Sequence, residues 1–73
     1  MTMLIKDHKP LMSVAQYMTN LSKMEVEQIT YLRLDALKAA GAMPDGKNAE
    51  FYRLEAQLCS VELRARLQGV TLN

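Results

Sequence analysis

The 73-residue chain holds little of what catalytic and metal chemistry is usually built from, with one cysteine, one histidine and no tryptophan. A lone cysteine closes no internal disulfide, and one His with one Cys cannot complete a tetrahedral zinc site. Neither sign of charge is in excess: nine Lys+Arg stand against eight Asp+Glu, a formal +1. Such a balance gives no general attraction for nucleic acid or anionic lipid. No run approaches the roughly 20 apolar residues of a bilayer span, so no membrane contact is expected. The apolar start, Met1 to Ile5, is cut off at once by Lys6, Asp7, His8 and Lys9. No signal-peptide core can form there, and a cytoplasmic location is the expectation. Disorder is excluded from the other direction, because 49% of the residues are hydrophobic and the net charge is small.

What is present reads as one small all-α domain. Its expected architecture is an αα-hairpin of two longer helices with a short N-terminal helix packed across it. Pro10 sets off an N-terminal arm, residues 1–12, from the helical domain, residues 13–69, and residues 70–73 form a tail. The arm has two readings, a frayed terminus or a segment that orders on a partner. Ser13 and Gln16 have capping-box spacing, with Met12 and Tyr17 as the hydrophobic staple. Ser22 and Glu25 repeat that spacing, with Leu21 and Val26 as staple, so the first helix is expected over 14–20, followed by a sharp turn. The second helix is expected over 23–40, stopping at a left-handed Gly41. Met43-Pro44-Asp45-Gly46 is a turn, Asn48 can cap a third helix with Glu50 in its first turn, and that helix should end at Gly69.

At 100° per residue, Val26, Ile29, Leu32, Ala36, Ala39 and Ala40 share one stripe of the second helix, with Leu37 at its edge. Arg33 falls inside that stripe, either snorkelling or held by Glu25 or by a carboxylate of the facing helix. Met24, Tyr31 and Leu34 lie on the other side, as surface scatter or as residues to be covered. The third helix has two apolar stripes. Phe51, Leu54, Leu58, Val61 and Ala65 follow heptad spacing, while Tyr52, Ala56, Cys59, Leu63 and Leu67 run nearly opposite. Arg53 and Arg64 fall on one edge between them, Glu55 and Glu62 on the other, and those glutamates read as solvated charges. A helix apolar on two faces must be sandwiched. An Arg edge meeting a Glu edge would also suit a two-fold contact between copies.

Catalysis has little support. His8 is in the arm, and Cys59 sits mid-helix on an apolar stripe, where a thiol is normally an inert hydrophobe. Glu25 and Glu27 diverge on a helix, and the three glycines read as caps or turns rather than a phosphate loop. No catalytic, cofactor or metal residue is assigned. A helix-turn-helix would lead its recognition helix with Glu25, Glu27 and Gln28, against phosphate repulsion. The basic residues Lys6, His8, Lys9, Arg53, Arg64 and Arg66 fall short of a nucleic-acid footprint.

The sequence therefore reads as a small non-catalytic interaction module, a regulator or inhibitor that occludes a site on a larger host protein. Its partner-binding candidates are Met24, Tyr31, Arg33 and Leu34 on the second helix and Tyr52, Cys59, Leu63 and Leu67 on the third. The expected target is host machinery such as RNA polymerase or another transcription component, as for phage- or plasmid-type regulators. That expectation rests on the general habits of small proteins and on no residue of this chain. The alternatives are a structural homodimer forming a four-helix bundle and a weak nucleic-acid-binding regulator.

Overall fold

The computed structural model describes residues 3–6, 9–46 and 48–69. His8 and the tail 70–73 lie outside the described residues. Among the described residues the chain is all-helical apart from one minimal hairpin in the arm. Strands β1 (Ile5–Lys6) and β2 (Lys9–Pro10) pair antiparallel, with Ile5 opposite Pro10 and Lys6 opposite Lys9. The Leu11 N–H donates to the Leu4 carbonyl at 2.8 Å, one residue further out. Three helices follow: α1 (Val14–Ser22), α2 (Val26–Ala42) and α3 (Ala49–Leu67).

Helix α1 starts where its capping residues place it, with Ser13 Oγ accepting the Gln16 N–H at 3.2 Å. The second start differs from the sequence reading. Ser22 is the last residue of α1, its hydroxyl donating to the Thr19 carbonyl at 2.6 Å, and Glu25 occupies the N-cap of α2. Glu25 forms the reciprocal box with Gln28, whose Oε1 accepts the Glu25 N–H at 3.0 Å. Either start would satisfy orphan N–H groups; the later one lets α1 run far enough to bury Leu21 completely. Val26 becomes the first helical residue of α2 and is exposed, so it does not staple Leu21.

The expected stop at Gly41 is also corrected. Helix α2 continues through Ala42, and Met43 N–H still reaches the Ala39 carbonyl at 3.4 Å. Pro44, which cannot continue the ladder and restrains the residue before it, ends the helix instead. The turn then closes as read, with Gly46 N–H donating to the Met43 carbonyl at 2.9 Å. Asn48 stands at the N-cap of α3, but its side chain makes no capping bond. At the far end Gly69 takes φ 74°, the left-handed conformation glycine adopts without a Cβ clash.

Helices α2 and α3 pack along each other, and α1 covers a shorter stretch of α3. Buried Ala36 and Ala40 on α2, with Ala49 and Ala56 on α3, allow a close approach of the two backbones. Tyr17, Leu21, Ile29 and Cys59 form the fully buried centre, and Leu4 and Ile5 of the arm belong to the same cluster. Thus α3 is sandwiched, by α2 on one side and by α1 with the arm on the next. The Cα atoms span only 15 Å in the thinnest direction, room for two layers and no third.

Candidate interaction surface

Polar groups fix how the second layer sits on α3. The sequence placed Glu55 and Glu62 on a solvated edge; both are buried, at 0% and 5% exposure. That edge lies between the two apolar stripes, and it goes inside where Tyr17 of α1 and Met3 of the arm close over it. Glu55 Oε2 accepts the Tyr17 hydroxyl at 2.8 Å and the Met3 backbone N–H at 2.9 Å. Cys59 Sγ lies 3.5 Å from the same hydroxyl. In that pair either atom can be the donor, depending on whether the Glu55 carboxyl carries a proton. Burial pushes the Glu55 carboxyl above its ordinary range against the pull of its two donors. Burial likewise raises the Cys59 thiol and the Tyr17 hydroxyl.

Glu62 belongs to a second cluster. Arg66 Nε donates to Glu62 Oε2 at 2.8 Å, while its Nη1 and Nη2 reach the carbonyls of Met24 and Leu21 at 2.6 and 2.7 Å. Leu21 lies in the last turn of α1 and Met24 in the turn that follows, where the helix's C-terminal end favours a cation. One guanidinium therefore neutralises a buried carboxylate and caps the neighbouring helix.

The candidate partner residues separate into two groups. Cys59 is completely buried and Tyr52 and Leu63 are half-buried against the core, so the second stripe of α3 faces inward. Leu67, at the helix end, is 88% exposed. Among the described residues Arg33 meets no carboxylate: its Nε donates to Ser60 Oγ at 2.8 Å, and that hydroxyl donates to the Ala56 carbonyl. Tyr31 and Leu34 are brought together on the outside of α2, exposed by 74% and 52%. With Met24, Leu32 and Met3 they line a groove of about 590 Å³, flanked by Asp35 and Lys38. Met3 was not among the sequence candidates. Only the folding of the arm back onto Glu55 brings it there.

Among the described residues, no three His, Cys, Asp or Glu side chains gather where they could hold a metal ion, and no helix is long and apolar enough to cross a membrane. Comparison with protein-family models, curated proteins and solved structures finds no match to the chain.

Proposed function

We propose that the protein is a non-catalytic interaction module that acts by occupying a site on a larger protein through the outer face of α2. The observation that carries this reading is the groove beside Tyr31. Tyrosine and methionine supply large, adaptable contact area, and here they are combined at a surface the fold leaves uncovered. Polar flanks at Gln28, Asp35 and Lys38 resemble the rim that surrounds an apolar contact patch. A regulator or inhibitor working by steric occlusion needs only such a patch. No residue selects the transcription apparatus over other targets, so the proposal stops at a larger protein.

The homodimer alternative loses the charge pattern that recommended it, since Glu55 and Glu62 do not form an exposed edge. A test combines solution mass with site-specific crosslinking of the full chain. A photo-reactive phenylalanine at position 31 should give one discrete adduct in native-cell extract, absent when the probe is at exposed Lys23 and lost with Leu34→Asp. Sedimentation should show a monomer across the micromolar range. A mass that doubles with concentration would replace the reading by the four-helix bundle. Affinity for duplex DNA that falls steeply with salt would replace it by nucleic-acid binding.

A further inference from the structure

Around α2 from the Tyr31 groove, the hairpin has a second uncovered side. Val26, Thr30, Arg33 and Leu37 recur there at spacings of four, three and four. Alongside, α3 presents Arg53, Gln57, Ser60 and Arg64 at the same spacings. The Arg33–Ser60 bond ties the two rows together at mid-length. At 100° per residue the α3 row is nearly opposite Glu55, Glu62 and Arg66, which hold the arm and α1. The two rows therefore face away from both. Val26 and Leu37 remain 48% and 43% exposed.

Charge within the two rows is one-sided, with Asp45 and Glu50 meeting Arg53 only at the hairpin-turn end. Neither row contains an acidic residue. Arg53 donates to the Pro44 carbonyl, Arg33 to the Ser60 hydroxyl, and the Arg64 side chain makes no hydrogen bond or ion pair among the described residues. No carboxylate among the described residues pairs with any of the three.

We propose that this side binds an amphipathic helix of another protein, with an apolar seam seated between Val26 and Leu37 and carboxylates along its flanks paired with Arg33, Arg53 and Arg64. Two adjacent rows at heptad spacing form the groove into which a third helix inserts its knobs. The arginines supply planar donors that match carboxylates two bonds at a time. A second copy of the chain fits poorly, because a two-fold contact would bring arginine rows together with no carboxylate to separate them. Nucleic acid fits poorly as well, since three charges neutralise few phosphates and the apolar half of the surface would face a polar backbone.

The test uses the full chain and a labelled synthetic helix of about three heptads, with leucine along its seam and glutamate on both flanks. A second peptide with lysine replacing every glutamate is the control. The acidic peptide should bind, with amide NMR shifts concentrated at Val26, Thr30, Leu37 and Arg64. Arg64→Glu should weaken binding by about tenfold or more while leaving the melting temperature unchanged, because the wild-type side chain is bonded to none of the described residues. Four results would each overturn the proposal: no binding of the acidic peptide, equal binding of the lysine peptide, indifference to Arg64→Glu, or displacement of the peptide by duplex DNA. A doubling of mass abolished by Leu37→Glu would assign the surface to self-association and overturn it too. Tyr31→Ser should leave peptide binding unchanged, so failure here is separable from failure of the Tyr31 groove.

Discussion

The two sides of the α2–α3 hairpin handle charge in opposite ways. On the side covered by α1 and the arm, two glutamates are buried: Glu55 is held by donors from α1 and the arm, and Glu62 by Arg66 one turn along α3, whose guanidinium also reaches back to Leu21 and Met24. On the open side, three arginines stand among half-exposed aliphatic residues, and among the described residues none of them is ion-paired. Buried polar groups contribute modest net stability but exclude wrong arrangements, since a misplaced α1 would leave a buried carboxylate without donors. Exposed, unpaired charges do the reverse: they add almost nothing to the fold and remain available for a partner. The covered side thus specifies the structure, and the open side is where recognition has room to act.

The contrast can be broken hardest at Arg66. Replacing it with alanine strands Glu62 and uncaps α1, and should destabilise the domain by roughly 3 kcal/mol in urea unfolding. Adding Glu62→Leu to that variant should recover a good part of the loss. A single-variant effect under about 0.5 kcal/mol would mean the guanidinium is not the link between α1 and α3. Tyr17→Phe removes one of the two donors to Glu55 and should cost about 1–2 kcal/mol, read by thermal melting monitored by circular dichroism.

Acidity sharpens the comparison next. The Glu55 carboxyl is raised above its ordinary 4.5, so the folded state holds its proton more tightly than the unfolded chain. The stability this contributes is fully present below about pH 4.5 and is lost as pH rises through the raised value. Glu55→Gln, which cannot ionise, should flatten that part of the stability profile. An unchanged slope in the glutamine variant would show that Glu55 is not its source.

Smaller effects belong to the exposed positions. Gly41 lies within α2, and a Cβ added there meets nothing within 4 Å. Gly41→Ala should therefore stabilise by about 0.5–1 kcal/mol. Arg64→Ala and Tyr31→Ser should each change stability by less than about 0.5 kcal/mol, in contrast with every buried-side variant. A larger loss at Arg64 would mean that the open side also contributes to holding the fold.

Much of this architecture was legible in residue order. Ser13 with Gln16 placed the first helix start, Pro44 to Gly46 placed the hairpin turn, and the double stripe of α3 required cover on two sides. Boundaries slipped where two local solutions were nearly equivalent. Ser22 and Glu25 could each begin α2, and Gly41 could end it or continue it. Such choices differ by a hydrogen bond or two locally and are resolved by what the longer or shorter helix buries.

Sequence by itself determined the class of fold, the absence of an internal disulfide, and the need of α3 for cover on two sides, because these follow from composition and helical periodicity. Only the tertiary structure decided that Glu55 and Glu62 go inside, that Arg66 spans from α3 to the end of α1, and that Met3 comes to line the groove beside Tyr31. Periodicity assigns a residue to a face of its own helix. Whether that face meets water or a donor 38 to 52 positions away depends on how separate elements dock, and no local pattern carries that.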